Sequence, residues 1–287
     1  MTYGVTGSTG KLGSLVVDHL LELDVAPGDI VAIARSREKG KRFADLGIDV
    51  RIAEYGDPAS LAAALSGVDR LLLISSSEIG HRVAQHTNVV NAAALNGVRL
   101  LAYTSLTRAD TSDSPLAPEH KATEAAIRAS GVPFVFLRNN WYTENYVDVV
   151  GRARAMGFIQ AAAGDGRVAS ATRNDLAEAA ARVLIGEVHE GAVYELAGKP
   201  WDYEHLAAVV SELVGREIAY RPVSAEEHTK TLLGTGMPEN IAGFVVGLDV
   251  AIADGTLDIE SDDLARLLGR EPATLKEGLA AAVESIT

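Results

Sequence analysis

Apolar residues fall in short runs through the first half of the chain, and longer segments of helical periodicity separate them. The runs lack polar alternation, which indicates strands buried on both faces, as in a parallel sheet covered by helices. The predicted strands are 3–7, 30–35, 50–55, 70–75, 99–105 and 133–138, with helices near 11–23, 37–46, 58–66, 80–96 and 118–130. This alternation predicts an α/β fold, a Rossmann-type doubly wound parallel sheet.

The rhythm weakens after Arg138. A helix is predicted to begin near Asn174 and Asp175, and a strand at 191–198 is expected to rejoin the main sheet. From Trp201 onward the pattern is mostly helical, which predicts a smaller C-terminal lobe. The predicted division is a dinucleotide-binding domain over 1–150, rejoined by 170–198, and a small, mostly helical lobe over 199–287 that includes 151–169.

Composition narrows the class of protein. The chain has 287 residues, 47% of them hydrophobic and 23% charged, which is ample for a sizeable core. A net charge of −13 repels nucleic acid and anionic membranes, so neither is expected as a partner. Cysteine is absent, which excludes disulfides, and no signal peptide or long apolar run is present. We therefore expect a cytoplasmic protein.

Glycine stands at every third position where the first predicted strand meets the first helix, as Gly7, Gly10 and Gly13 in VTGSTGKLG. Glycine adopts a positive φ and lets main-chain N–H groups approach a phosphate. The start of the following helix adds a partial positive charge, which favours a pyrophosphate. In this context the spacing predicts dinucleotide binding, with the hydroxyls of Ser8 and Thr9 as further donors. A tight turn that binds nothing is the alternative.

The end of the second predicted strand indicates which dinucleotide binds. An acidic residue there hydrogen-bonds the ribose 2′-hydroxyl of NADH, whereas an arginine accommodates the 2′-phosphate of NADPH. The segment AIARSREKGKRF has no acid at the strand end, and Arg35 closes the strand. A solvated helix start fully explains the cations from Lys39 to Arg42. We therefore predict NADPH as the cofactor, with Arg35 at its 2′-phosphate.

Several segments together resemble the NmrA-like group of atypical short-chain dehydrogenases/reductases: VTGSTGKLG, LLLISSSEIG, AYTSL, EHKATE and LRNNWYTENY. The likeness covers nearly the whole chain and includes AGDGRVASATR and YELAG. Within the group the resemblance is strongest to the type-2 NAD(P)H:quinone oxidoreductases, with triphenylmethane reductases as near relatives. It implies a Rossmann domain, a small C-terminal lobe, and a cleft between them for NADPH and a quinone.

The resemblance also implies which residues meet the cofactor. The phosphate loop corresponds to residues 7–12, the serines after the fourth strand line the cofactor's path, and residues 139–145 lie near the nicotinamide. The cofactor-binding residues implied in this way are Gly7, Ser8, Thr9, Gly10, Lys11, Leu12, Arg35, Ser75, Ser76, Ser77, Asn139, Asn140, Trp141, Tyr142 and Asn145.

The chain departs from the wider superfamily after its fifth strand. Ordinary short-chain dehydrogenases carry Tyr-x-x-x-Lys there, with the tyrosine as acid/base. Lys121 stands at the lysine position of this chain, but Ala117 stands where the tyrosine would be. The missing proton relay favours direct hydride transfer to an acceptor that needs little help from an enzyme acid, such as a quinone. Alcohol oxidation, which needs a base for the hydroxyl proton, fits poorly.

Three residues are candidates for a catalytic role. His120 either donates a proton to the acceptor or lies on a helix face near the surface. Lys121 either contacts the nicotinamide ribose or is solvated. Tyr142, like Tyr146, offers an aromatic face and a hydroxyl to a planar ring, and ordinary packing between the lobes is the alternative.

Other polar residues receive structural interpretations. His81 and His86 lack the i,i+4 spacing of a zinc pair, so no metal site is predicted. Asp57 and Asp175 are each predicted to cap a helix N-terminus. The polar segment 105–115 is a candidate lid over the substrate.

The sequence thus predicts an NADPH-dependent oxidoreductase that passes hydride to a quinone or a similar planar conjugated acceptor. Two alternatives stay open: an NADP(H)-binding redox sensor without turnover, and a reductase of triarylmethane dyes. The oligomeric state is also open, because the apolar helical segment 86–98 fits either packing against the sheet or a homodimer interface.

Overall fold

A computed structural model describes residues 1–284. Its strands are β1 (Tyr3–Val5), β2 (Ile30–Ala34), β3 (Asp49–Ile52), β4 (Arg70–Leu73), β5 (Leu100–Leu106), β6 (Phe134–Asn139), β7 (Phe158–Ala161), β8 (Arg167–Val168), β9 (Val193–Leu196), β10 (Trp201–Asp202) and β11 (Ala219–Pro222). Its α-helices are α1 (Lys11–Glu22), α2 (Arg37–Asp45), α3 (Pro58–Ala64), α4 (Arg82–Leu95), α5 (Ala117–Ser130), α6 (Val147–Met156), α7 (Arg173–Ile185), α8 (Tyr203–Val214), α9 (Ala225–Gly234), α10 (Glu239–Ala253), α11 (Asp263–Leu268) and α12 (Leu275–Glu284).

Within residues 1–284, seven strands form one parallel sheet in the order β3-β2-β1-β4-β5-β6-β9. Chain direction across the sheet reverses between β1 and β4, which is the switch point where doubly wound sheets bind their ligands. The predicted fold class is confirmed. The strand predicted at 3–7 ends at Val5, because the chain already turns at Thr6 to form the glycine segment.

Two apolar layers cover the sheet. On one face Val16 and Leu20 of α1 pack with Leu176 of α7. On the other face Leu61 of α3 and Val89 of α4 are fully buried. Each such side chain contributes roughly 1.5–3 kcal/mol to folding. These layers hold the carboxyl ends of the strands in fixed positions, and the site lies at those ends.

The segment 86–98 contributes its apolar side to the second layer, as Val89, Val90 and Ala93 of α4 pack against the sheet. The homodimer stays a prediction. Among the described residues, no helix combines the length and apolar character that crossing a bilayer requires.

A second core lies in the C-terminal part of the chain. It is built around Tyr146, Trp201 and Tyr203, and the ring centroids of the first two lie 4.9 Å apart in an edge-on contact. Short strands accompany the helices here, because β7 pairs with β11 and β8 with β10. Helix α11 follows residue 199, yet its Leu264 and Leu268 pack in the layer of α1 and α7. The domain boundaries stay a prediction.

Of the two predicted helix caps, one is confirmed and one is wrong. Asp57 caps α3, and its carboxylate accepts hydrogen bonds from the amides of Ala59 and Ser60. The prediction for Asp175 is wrong, because the N-cap of α7 is Thr172, whose hydroxyl accepts from the Asp175 amide at 3.0 Å. The carboxylate of Asp175 is buried and pairs with Arg270, 95 residues away, at 2.8 Å.

Candidate cofactor and acceptor site

The glycine segment forms a tight turn at the switch point. Gly7 has a φ of +58°, and the Gly10 amide donates to the Gly7 carbonyl at 2.9 Å. A Cβ on Gly13 would collide with that same carbonyl, whereas a Cβ on Gly10 would meet only the Gly7 oxygen, at 3.2 Å. Helix α1 begins directly afterwards with no side-chain cap and no acid in its first turn. This arrangement suits an anion at the helix N-terminus.

The two hydroxyl residues of the turn differ. Ser8 is fully buried, and its hydroxyl donates to the Ile33 carbonyl at 2.9 Å, which ties the turn to β2. Thr9 is partly exposed. Lys11 is exposed and Leu12 packs into the sheet's apolar layer. Of the two hydroxyls, the one on Thr9 is therefore better suited to reach a ligand.

Arg35 follows β2 and is 70% exposed. The carboxylate of Glu78 lies 3.9 Å from its guanidinium, at the limit of an ion pair. Neighbouring cations are held more closely, because Lys41 contacts Asp45 at 2.7 Å and Arg42 contacts a carboxylate on α1 at 2.5 Å. Arg35 thus remains available to a phosphate beside the strand end.

The serine segment, residues 75–77, follows β4 beside the turn. Its neighbour Ile74 approaches Gly7, with its Cβ 3.6 Å from where a Gly7 Cβ would stand. The Ser75 amide donates to the Thr104 hydroxyl at 2.9 Å, so the segment is anchored to β5. The three serines are therefore fixed at the edge of the turn that would hold the pyrophosphate.

The segment after β6 contains two neighbouring asparagines with different surroundings. Asn140 is engaged by the protein, since its amide nitrogen donates to the Leu257 carbonyl at 3.2 Å and its Oδ1 accepts from the Trp141 amide at 2.6 Å. Asn139 is 5% exposed, and within residues 1–284 its Oδ1 has no hydrogen-bond partner. A buried acceptor without a partner is costly, so Asn139 is the better candidate for a ligand contact.

Tyr142 lies beneath an arginine that the sequence did not reveal. The Cζ atom of Arg173 lies 4.6 Å from the centroid of the Tyr142 ring, and Arg173 also donates to Asn145 Oδ1 at 2.8 Å and lies 3.5 Å from the carboxylate of Glu144. Burial raises the pKa of the Tyr142 phenol above its usual value, against the opposing effects of a hydrogen bond from the Asn139 side chain and of the Arg173 charge. The phenol is therefore protonated at neutral pH and can donate a hydrogen bond. Trp141 packs with the C-terminal core.

His120 and Lys121 both have partners within the protein. His120 is buried, and its Nδ1 lies 2.7 Å from the Tyr103 hydroxyl. Burial, reinforced by the charge of Arg82, lowers the pKa of His120 to about 3, so its imidazole is neutral at neutral pH. Lys121 is exposed and donates to the Asp110 carbonyl at 3.1 Å, which ties it to the segment 105–115. The catalytic role of both stays a prediction.

The sequence patterns also did not predict a buried ionic network at the ends of β5, β6 and β9. The guanidinium of Arg138 makes two bonds of 2.9 Å to Glu124 and one of 3.1 Å to Glu195. Glu195 in turn accepts from the Arg108 amide and the Thr107 hydroxyl. The network fixes the start of the candidate lid, and breaking such a pair leaves a costly unpaired charge. In the sequence, Arg138 at the end of the apolar strand FVFLR is the feature that could have indicated this network.

Among the described residues, no three His, Asp or Glu side chains are grouped so that they could hold a metal ion. The glycine turn, the uncapped helix start and the switch point of the sheet together define an α/β protein of the Rossmann class. A model of the NmrA-like family matches residues 2–277, and the chain belongs to that family. The resemblance drawn from the sequence segments is confirmed.

Several known relatives are similar over almost their full length. The chain is 45% identical over 276 residues, 96% of each sequence, to quinone oxidoreductase 2 of Escherichia coli strain K12. A structure of an NADPH-dependent quinone oxidoreductase from Escherichia coli in complex with NADPH superposes with a TM-score of 0.94 at 43% identity and covers 100% of both chains. The triphenylmethane reductase of Citrobacter sp. complexed with NADP(H) superposes with a TM-score of 0.93 at 42% identity, covering 98% of this chain and 100% of its own.

Proposed function

We propose that this chain is an oxidoreductase that binds NADPH at the carboxyl ends of β1, β2, β4 and β6 and passes hydride to a quinone or a similar planar conjugated acceptor. The observation that carries the proposal is the turn of Gly7, Gly10 and Gly13 before an uncapped helix. The 45% identity to a quinone oxidoreductase supports the acceptor class.

The residues present fit the cofactor. The space over Gly10 would be filled by any side chain, and the first amides of α1 stand beside it without a capping group. Arg35 supplies an exposed cation for the 2′-phosphate. The buried Oδ1 of Asn139 supplies an acceptor for a carboxamide N–H. When bound, NADPH supplies the hydride.

The protein's own part is binding and orientation. The Tyr142 ring, held under Arg173, offers a flat surface to a planar acceptor, and its protonated phenol can donate a hydrogen bond to an acceptor oxygen. Ala117 stands where the usual tyrosine acid would be, and the neutral imidazole of His120 is a poor proton donor. A quinone suits these residues, because water or a weak donor suffices to protonate its reduced oxygens.

A second candidate is reduction of a triarylmethane dye. The similarity to a triphenylmethane reductase at 42% identity favours it, and the same arrangement of binding surfaces would serve. A triarylmethane dye is a cation that accepts hydride at its central carbon and needs no proton. Its reduction would therefore depend even less on Tyr142 as a hydrogen-bond donor. A redox sensor would bind NADPH through the same turn without any acceptor.

NADPH consumption should be measured with the purified protein alone, with a benzoquinone, and with a cationic triarylmethane dye, and calorimetry should report NADPH binding in parallel. We expect tight NADPH binding and consumption stimulated by the quinone. Binding without stimulation by any acceptor would leave the sensor function in place of the enzyme. Absence of binding by a folded protein would refute the assignment of the turn.

A further inference from the structure

The serine segment is held from behind by a buried histidine. The amide of Ser76 donates to Nε2 of His86 at 2.9 Å, and the carbonyl of the same residue accepts from Nε of Arg82 at 2.7 Å. His86 is fully buried and Arg82 is 5% exposed. Both lie on α4, so two side chains of one helix hold the peptide groups of a segment beside the phosphate turn.

The hydrogen bonds determine the tautomer of His86. Because Nε2 accepts from a backbone amide, it carries no proton, so the proton lies on Nδ1. Nδ1 donates to the Thr123 hydroxyl at 3.0 Å, and that hydroxyl donates to the Glu119 carbonyl at 2.9 Å. Both ring nitrogens are therefore used, and neither is free to bind a metal or to exchange a proton with substrate.

Two aromatic rings flank the imidazole of His86, and the charge of Arg82 acts on it. Tyr55 and Tyr103 make edge-on contacts, with ring centroids 6.2 Å and 5.4 Å from that of His86. Burial lowers the pKa of His86 to about 3, which keeps the ring neutral and Nε2 an acceptor. An aliphatic side chain would fill this space but would leave the Ser76 amide without a partner, at the cost of a buried unpaired donor.

Accordingly, we propose that His86 is a positioning residue for the cofactor: by accepting the Ser76 amide, it fixes residues 75–77 in the conformation that meets NADPH. The inference rests on the proposed function. Within residues 1–284 the hydroxyls of Ser75 and Ser77 make no hydrogen bond to the protein, so they remain available to a ligand once the backbone is fixed. The segment's backbone would then depend on a residue that never touches the cofactor.

The test compares two replacements of His86. His86→Gln can place its amide oxygen near the position of Nε2 and should bind NADPH within about threefold of the parent. His86→Leu removes the acceptor and should weaken NADPH binding about tenfold in calorimetry. The loss should appear mainly in the KM for NADPH, with kcat at saturating NADPH changed less.

A third variant separates positioning from general damage. Val89→Ala, a buried position one turn along α4, should lower the melting temperature through a cavity while leaving NADPH affinity unchanged. Equal affinity of His86→Leu and the parent would overturn the proposal, and so would a loss in His86→Gln as large as in His86→Leu. A parent protein that binds no NADPH would instead refute the proposed function.

A measurement on the parent protein covers the case in which His86→Leu does not fold. Nitrogen NMR of histidine-labelled protein should show His86 as a neutral ring protonated at Nδ1 and unprotonated at Nε2, and NADPH should shift the Nε2 signal. A ring protonated at Nε2 would remove the hydrogen bond from Ser76 and with it the proposal.

Discussion

The phosphate turn at residues 7–13 and the aromatic segment at residues 139–146 both lie at strand ends of one sheet, yet different contacts shape them. The turn is shaped mainly by its own backbone: a positive φ at Gly7, a hydrogen bond from Gly10 to Gly7, and the close approach of Gly13. These three features involve residues at most six positions apart, and the Ser8 hydroxyl then ties the turn to β2.

The aromatic segment is shaped by distant residues. Arg173 covers the Tyr142 ring, and the Leu257 carbonyl binds the side chain of Asn140, 117 residues away. The comparison teaches that the conformation of the phosphate turn is set largely by local backbone contacts. The acceptor end is encoded by tertiary contacts, which can be altered without disturbing the turn.

The largest effect is expected at the turn. Gly10→Val places a side chain where only the Gly7 oxygen is near, so the fold should survive while the phosphate space is filled. We expect NADPH and NADH affinities to fall more than about a hundredfold, the value of several lost backbone contacts to an anion, as measured by calorimetry.

Gly28→Val is the matched control, since a Cβ at Gly28 meets nothing within 4 Å. It should bind both nucleotides like the parent. Unchanged affinity in Gly10→Val would show that the turn holds no phosphate, and the turn would then no longer represent the cofactor end.

A smaller and selective loss is expected at Arg35. Arg35→Ala should lower the affinity for NADPH about tenfold and leave the affinity for NADH nearly unchanged, because only NADPH carries the 2′-phosphate. Lys41→Ala makes the same change in net charge within the same basic cluster, but Lys41 is already paired with Asp45. Lys41→Ala should lower the affinities for NADPH and NADH equally and only slightly. Equal losses of NADPH and NADH in Arg35→Ala would exclude the 2′-phosphate contact.

The same contrast explains how far the sequence was informative. The strand–turn–helix at Gly7 and the parallel sheet follow from local spacing and uninterrupted apolar runs, and both were predicted. Arg173 over Tyr142 and Arg270 on Asp175 join residues distant in the chain, and no local pattern marks them. His120 was predicted as either a donor or a surface residue, yet it is buried, because only the packing of α5 on the sheet decides its exposure.

At the acceptor end the expected effect is smaller and falls on a different substrate. Tyr142→Ala removes the aromatic surface and should raise the KM for a quinone about fivefold, with NADPH affinity changed less. Tyr142→Phe keeps the ring and should stay within about threefold in KM and kcat. A fall in kcat of a hundredfold or more in Tyr142→Phe would show instead that the phenol acts as a required acid.

Acid should lower the stability of the fold through two buried histidines. Burial lowers the folded-state pKa of His86 and of His120 to about 3, from about 6.5 in the unfolded chain. As pH falls from about 6.5 toward 3, the unfolded state binds protons that the folded state does not. The stability present above pH 6.5 is therefore progressively lost, at up to roughly 1.4 kcal/mol per pH unit for each histidine.

His120→Asn offers an amide to the Tyr103 hydroxyl without a titrating ring, so the fall in unfolding free energy between pH 7 and pH 5, measured with urea, should shrink by about 2 kcal/mol. The kcat of the parent should show no ionisation near pH 6.5, because the buried ring is neutral throughout that range. A break in kcat near pH 6.5 that disappears in His120→Asn would mean that the imidazole gains its proton in the working enzyme. His120 would then be able to supply a proton to the acceptor, contrary to the inference that its buried ring stays neutral.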